Sequence, residues 1–441
     1  MVRLVVLNYN GGELTLRCLE HLSRLAWPRE ALQVVCVDNA STDGSAERIA
    51  SEHPWVDLRR NERNVGFPGN NTALVDLDGV DYVGLVNNDA FAEPGYLTPL
   101  VDTLEADPSL GAACPKLVLA PRFAELTMTA PTFVPGAMDP RELGVMVRSI
   151  HVGAEDVGRD AHLATGGWGQ EHDRGGSFEW TSGEALVRVP VAEGCADHEV
   201  RLELQAEAVK EIEISSGTHT LRVVVGPRPV SVTVPLAERR VDVVNNVGSI
   251  VYADGAGADR GWLEPDDGRF DVPADVFAWC GGGVLMRPEY LADVGLFDER
   301  FFLYYEDTDL AWRGRARGWG HRTAPAAVLR HVHAASSTAG SDVFAFHVER
   351  NRLLMLAKNA PMPLARREAW RFVLVTASYA RRDVVAPMLR GRRPNLRTVR
   401  RRTSSYASFL ALLPAMLAER RRLRHRQLLP DERLVAWLVA R

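Results

Sequence analysis

Three short apolar runs near the start of the chain, LVVLNYN (4–10), LQVVCVDNA (32–40) and DYVGLVNNDA (81–90), each stop abruptly in amides and carboxylates. Runs of this length between turn signals read as buried strands. Between them Leu14, Leu19, Leu22 and Leu25 recur at near-helical spacing before Pro28, and Ser41 or Thr42 would cap a helix continuing through Ile49. After DLRRN comes a polar loop, NVGFPGNN (64–71), and then an Ala-Leu-Val helix start. Strand, helix, strand, helix, strand is the rhythm of a doubly wound, mostly parallel α/β sheet, with its ligand groups at the carboxyl ends of the strands.

That rhythm breaks after about residue 120. From 201 to 236, period-2 alternation (Leu202 and Leu204, then Ile212 and Ile214) with turns at Ser215-Ser216-Gly217 and Gly226-Pro227 reads as antiparallel β material. The glycine-rich GGWGQEHDRGG (166–176) ahead of it reads as loop. Mixed α/β character resumes near 241, and the end of the chain reads helical. The expected organisation is a first α/β half over 1–120, a β-rich insertion over 121–240, a second α/β half over 241–340 and a helical, Arg-rich region over 341–441. A chain of 441 residues is longer than one core usually organises, so several domains are expected.

Charge is unevenly spread. The formal net charge is −5, yet residues 366–441 hold nineteen Arg against five acids, leaving −19 for residues 1–365. A basic end on an acidic body suggests contact with an anionic surface, lipid headgroups or nucleic acid. The apolar residues Phe409, Leu410, Leu412, Leu413, Met416 and Leu417 beside Arg420 to Arg422 suit a membrane interface, or alternatively a helical pair packed on the body or a dimer. Five scattered cysteines without a C-x-x-C pair argue for a reducing compartment. No signal-peptide core or uninterrupted run of eighteen apolar residues is seen, so a cytoplasmic protein, peripheral at most on the inner face of the plasma membrane, is expected.

The strand ends carry the candidate chemistry. Asn8, Asn10, Asp38 and Asn39 would face one crevice, where a carboxylate can accept a hydrogen bond from a nucleotide base; an ordinary Asp-Asn turn is the competing reading. Neither G-x-G-x-x-G nor a P-loop signature is present at these turns. In Asn87-Asn88-Asp89 the lone carboxylate suits a hard divalent cation completed by phosphate and water, or a simple turn. The segment FAWCGGGVLMRPEYLADVGLFDERFFLYYEDTDLAWRGRARGWG (277–320) sets acids among aromatics. If EDTDLAWR opens a helix, Glu306 and Asp307 occupy its first turn and Asp309 pairs with Arg313. His331 and His333 share a face of a predicted strand, as metal ligands or as structural histidines.

In combination these segments resemble glycosyltransferase family 2, the inverting nucleotide-sugar transferases of GT-A fold, and particularly its rhamnosyltransferase-like branch. The resemblance rests on VVLNYNGG, VVCVDNASTDGS, NVGFPGNN, LVNNDA, GLFDERFFLYYEDTDLAWRGRARGW, LRHVHAASS and ERNRLLMLAKN, in the family's order, and covers 1–120 and 241 to about 360. It implies that Asp38 meets the nucleotide base with Asn8, Asn10 and Asn39 nearby, and that Gly66 and Asn70 lie under the donor's ribose or sugar. It implies a divalent metal, Mg²⁺ or Mn²⁺, on Asp89, with Asn87 standing where many members have Asp. His331 rather than His333 matches the metal-associated histidine, through its spacing to Ser336-Ser337. Asp307 matches the general base, with Glu306 beside it.

The implied reaction moves a sugar, rhamnose as the first guess, from a dTDP- or UDP-sugar to a hydroxyl of a cell-surface glycan or polyprenyl-linked acceptor. The alternative is a catalytically inactive carbohydrate-binding or scaffold protein on the same fold, with Trp168, Phe178 and Trp180 of the insertion stacking on sugar rings. Nucleic acid is not expected as a partner, because no reader motif accompanies the arginines.

Overall fold

The computed structural model describes residues 1–158, 160–173, 175–192, 199–332 and 341–440. His333, Ser336, Ser337 and Cys195 therefore lie outside the described residues. The chain divides into two compact units, one of Met1–Val118, Asn245–Trp262 and Gly268–Arg441, the other of Leu119–Val244 and Leu263–Asp267.

The first unit is built on a mixed sheet. Strands β1 (Val2–Asn8), β2 (Leu32–Asp38), β3 (Asp57–Arg60) and β4 (Tyr82–Asn87) are parallel, in the order β3-β2-β1-β4. The sheet continues through Gly283–Met286, then β6 (Leu110–Leu119), Gly320–His331 and β5 (Ala90–Ala92). Gly283–Met286 runs antiparallel to both of its neighbours, so the parallel half expected from the first three apolar runs meets an antiparallel half. Register sets Asn8 beside Asp38, Leu7 beside Asn87 and His331 beside Ala90, which brings the polar strand ends to one edge.

Helices α1 (Gly12–Ser23), α2 (Ser45–Glu52), α3 (Leu97–Ala106), α4 (Pro288–Val294) and α5 (Glu306–Ala316) accompany the sheet. The apolar sides of α4 and α5 join a core in which Trp279, Tyr290, Phe301 and Trp312 are fully buried. Helix α2 starts at Ser45 rather than at Ser41 or Thr42. The Ser41 hydroxyl is engaged elsewhere, accepting from the Asn10 amide at 2.9 Å and from Asn8 Nδ2 at 3.0 Å. No α-helix begins at Ala73-Leu74-Val75; a 3₁₀ helix, Phe67–Ala73, stops there. Arginine side chains take the carbonyls of that turn, Arg59 that of Thr72 at 3.1 Å and Arg3 that of Ala73 at 3.0 Å.

Helices α6 (Asp342–Asn359), α7 (Met362–Ala380), α8 (Ala386–Leu389) and α9 (Arg397–Arg426) complete the unit, with a π-turn, Arg381–Val385, joining α7 to α8. Most of the row expected to meet lipid faces inward: Phe409 is 3% exposed, Met416 is fully buried, and Leu412 and Leu413 pack on the same core, while Leu410 is exposed. Arg420 donates to the carbonyl of Ala357 at 3.2 Å. These residues of α9 thus pack on the rest of the unit, as in the reading of a helical pair packed on the body. Among the described residues no helix is long and apolar enough to cross a membrane.

The second unit is an antiparallel sheet in the order His219–Val225, Lys210–Ser216, Arg122–Thr129, Gly176–Val191, Met146–Val152, Glu199–Gln205, Val230–Pro235. Its buried face is the alternating set Leu126, Val187, Val189, Leu202, Leu204, Ile212 and Ile214. The glycine-rich stretch is not a loop. His162–Asp173 pairs with Gly176–Val191 through several register shifts, with Gly166 (φ 72°) and Gly169 (φ 85°) in the left-handed region. Bulges of this kind need residues that accept positive φ, which is why glycine hides the strand from a periodicity reading. Of the three aromatics considered for sugar stacking, Phe178 is buried and packs edge-on to Trp180, while Trp168 is 42% exposed.

Candidate active site

The carboxyl ends of β1 and β2 form a tight polar cluster. Asn8 donates from Nδ2 to Asp38 Oδ1 at 2.8 Å and to Ser45 Oγ at 2.8 Å, while its Oδ1 accepts from Thr15 Oγ1 at 2.8 Å. Asp38 Oδ2 accepts the Ser41 amide at 3.2 Å. Asn10, in the left-handed region at φ 50°, accepts the Thr42 amide on its side-chain oxygen at 2.7 Å. Buried polar groups keep a fixed orientation only when paired in this way. Asn8 and Asn39 serve as the girders of the crevice, and Asp38 retains lone pairs for a further donor.

Asn39 carries the cluster across to the next loop. Its Nδ2 donates to the Gly66 carbonyl at 3.0 Å and to Asn64 Oδ1 at 2.8 Å, and its Oδ1 accepts from Asn61 Nδ2 at 3.1 Å. Gly66 sits at φ 73°, and a Cβ there would fall 1.9 Å from the Phe302 carbonyl oxygen. The Phe67 amide donates to that same oxygen at 2.7 Å. Asn70 is buried and donates back to the Phe67 carbonyl at 2.8 Å. Gly66 and Asn70 thus shape the 64–71 loop and clamp it to the aromatic segment before α5.

At the end of β4, Asp89 is 5% exposed and its Oδ1 lies 3.1 Å from His331 Nε2. Asn87 Nδ2 is 3.4 Å from the same ring nitrogen. His331 Nδ1 lies 2.8 Å from Asn245 Oδ1, an acceptor, so Nδ1 donates to it, which turns Nε2 toward the Asp89 carboxylate and Asn87.

The base candidate is tied to this strand end through a glycine turn. The Gly281 amide donates to Asp307 Oδ2 at 3.0 Å, and the Asn87 amide donates to the Gly282 carbonyl at 3.1 Å. A Cβ on Gly281 would meet the Phe67 ring at 2.9 Å, and one on Gly282 would meet Leu117 at 2.8 Å. Only glycine lets this backbone pass between them. Asp307 is half-buried, and desolvation pushes its carboxyl above the usual range against the pull of the Gly281 and Thr308 amides. Glu306 is pushed well up, first by burial and then by the charge of Asp307, and its Oε2 has no hydrogen-bond partner.

Residues 4–118 match the family model described as glycosyl transferase family 2. That stretch of the chain is similar to the family. No curated protein matches the sequence. Solved structures similar to this chain include residues 1–349 of TarS from S. aureus in complex with UDP-GlcNAc, at 21% identity and TM-score 0.24, covering 26% of this chain and 34% of that one. A second is GalNAc-T7 with UDP, GalNAc and Mn²⁺, at 12% identity and TM-score 0.44, covering 81% and 48% respectively. A third is the mannosyltransferase PcManGT from Pyrobaculum calidifontis with GDP-Man and Mn²⁺, at 15% identity and TM-score 0.37, covering 99% and 78%. The chain thus spans about a third of the first and about half of the second.

Several residues of the candidate site escape a reading of the sequence. Asp259 is mostly buried, accepts from Asn246 Nδ2 and acts electrostatically on Asp307, while His331 acts on it in turn; burial pushes its carboxyl up. The segment ERNRLLMLAKN serves as a brace. Phe302, Tyr304 and Tyr305 all have positive φ, at 64°, 69° and 71°, a conformation that costs aromatic residues of order 1–3 kcal/mol each. Asn351 Nδ2 holds that turn, 2.8 Å from each of the carbonyls of Phe301, Leu303 and Tyr304, and Arg350 donates to Phe301 O at 2.8 Å. Asp309 does pair with Arg313, at 3.0 Å, but it also receives Lys358 at 2.8 Å and Asn359 at 2.7 Å. It is an anchor between α5 and α6, more than a helix-start acid. The signal was in view, a run of polar side chains within an otherwise apolar helix.

Proposed function

We propose that this glycosyltransferase moves a sugar from a nucleoside-diphosphate donor, dTDP- or UDP-linked, to a hydroxyl of a cell-surface or polyprenyl-linked glycan, inverting the anomeric centre. Rhamnose is the first sugar to test, on the resemblance stated above. The observation that carries the reading is the glycine turn 281–282, which hydrogen-bonds Asp307 on one side and the strand end of Asn87 on the other.

In this reading Asp38 accepts from the base of the nucleotide, in a crevice kept rigid by Asn8, Asn10 and Asn39, while the loop with Gly66 and Asn70 supports the donor. Asp307 accepts the proton of the acceptor hydroxyl as that oxygen attacks the anomeric carbon. Burial suits it to the task, since a carboxyl with a raised pKa is a stronger base once ionised. The nearby charge of Asp259 acts in the same direction. With a diphosphate leaving group no second acid is needed at the scissile bond, unlike in a glycoside hydrolase.

Among the described residues no group of three His, Cys, Asp or Glu side chains could hold a metal ion alone. Asp89 and His331 Nε2, with Asn87 beside them, would nevertheless fit a hard cation whose remaining ligands are phosphate oxygens and water, the ion taking the place of a proton between the carboxylate and the ring. Bound there, Mg²⁺ or Mn²⁺ would stabilise the charge developing on the departing diphosphate.

A panel of nucleotide sugars tested by thermal shift with and without Mn²⁺, followed by measurement of nucleoside-diphosphate release, decides the matter. A stabilising donor that is also turned over supports the reading. Binding without release for every donor and metal would leave the inactive scaffold in its place.

A further inference from the structure

With the Phe409 row turned inward, the helical region leaves a different face uncovered. Along α7, the π-turn and α8, Trp370, Leu374, Val385, Met388 and Leu389 are 64, 51, 49, 61 and 82% exposed. Positions 370, 374 and 377 recur at steps of four and three on α7 and so share one face, and Val385, Met388 and Leu389 follow across the π-turn, while Glu368 and Phe372 are buried against the body. Large apolar side chains in a contiguous exposed row mark an interaction surface.

The charge around the row restricts its partner. Residues 366–397 hold nine arginines against two acids, Glu368 and Asp383. Glu368 is 1% exposed, and Asp383 is bonded to Arg382 at 2.6 Å. Arg381, Arg390, Arg392 and Arg393 are exposed and carry no ion pair among the described residues. A second copy of this chain would set one such face against another of the same sign, and a nucleic acid offers no apolar layer for the leucines, methionine and tryptophan. An anionic bilayer supplies both parts, phosphates for the guanidinium groups and an acyl boundary for the apolar row.

We propose that this face, from Trp370 to Arg393, lies in the interface of an anionic membrane. The indole of Trp370 sits at the headgroup level, Leu374, Met388 and Leu389 enter the acyl boundary, and the four arginines meet lipid phosphates. The proposal concerns where the chain is held and stands apart from the transfer reaction.

Co-sedimentation of the full-length chain with vesicles of phosphatidylcholine, alone or mixed with phosphatidylglycerol, tests it. Expected is binding to the mixed vesicles about tenfold or more tighter than to the neutral ones, weakening as salt rises. The pair Met388→Ser and Leu389→Ser, and separately Arg390→Glu, Arg392→Glu and Arg393→Glu, should each reduce binding about tenfold. All these positions are exposed, so thermal unfolding should not move, and a variant that melts early is replaced by Trp370→Ser. Equal binding to both vesicles, no binding, or binding unaffected by either set overturns the proposal. So does a solution dimer that Leu389→Ser dissolves, which would assign the face to a second copy.

Discussion

Gly281 donates its backbone amide to the carboxylate of Asp307 at 3.0 Å. The contact fixes one oxygen of the proposed base, and Thr308 fixes the other through its amide and its hydroxyl. Asp307→Asn keeps the shape and removes the basic site. We expect transfer to fall by about a hundredfold to ten-thousandfold while donor affinity, measured by calorimetry, is unchanged. Wild-type turnover by this variant would falsify the base assignment.

Asn245 orients the proposed metal-side histidine through its side-chain oxygen, 2.8 Å from His331 Nδ1. Partners of this kind set the tautomer of a ligand. Asn245→Ala is expected to weaken Mn²⁺ binding in the presence of donor by roughly tenfold to a hundredfold. Asp89→Ala should weaken it further. Titration of Mn²⁺ followed by electron paramagnetic resonance reads both, and undiminished affinity in Asp89→Ala rules out the site.

The raised carboxyls give opposite signs for rate and for stability. Asp307 must be ionised to act, so the transfer rate should rise with pH through a value above the ordinary aspartate range. Folding, by contrast, retains protons on Glu306 and Asp307 that the unfolded chain has already lost. Their contribution is full below the unfolded carboxyl pKa of about 4 and is lost as pH rises through the folded values.

Glu306→Gln removes a buried charge whose Oε2 has no partner. At neutral pH and above, the variant should melt a few degrees higher than the parent, at about 2–4 °C per kcal/mol for a domain of this size. It should also flatten the dependence of melting temperature on pH. A lower melting temperature at every pH would show that the glutamate contributes a bond instead of a cost.

Asn351→Leu removes one donor from each of three backbone carbonyls, of which Phe301 O keeps Arg350. A loss of about 2–4 kcal/mol in urea unfolding is expected. If the brace positions Asp307, kcat falls while the donor KM holds. A variant that is destabilised but turns over normally would reduce Asn351 to a packing role.

The strands β1, β2 and β4 were legible because each is an apolar run cut off by polar residues, and parallel pairing carries those ends to one edge. The residues named for the nucleotide and metal follow from the same pattern. Asp259 and Asn351 were not legible, since their partners are distant in the chain and, for Asn351, are backbone carbonyls that leave no trace in side-chain letters. In α9 composition alone does not separate Phe409, buried, from Leu410, 47% exposed; only the packing of neighbouring helices decides which is covered. The strand His162–Asp173 failed for a further reason, because its glycines serve bulges and break the alternation that betrays a strand.

The β-rich unit departs and returns through paired backbone, the Leu119 amide donating to the Val243 carbonyl at 2.8 Å while Phe123 and Val241 exchange bonds at 2.9 and 2.8 Å. A splice point of this kind accepts cargo of very different length, because the entropy of closing a loop grows only with the logarithm of its size. The return lands two residues before Asn245, the side chain that steers the His331 imidazole. Any exchange of the insert must therefore preserve the phase of the re-entering strand, or the chemistry downstream loses its aim.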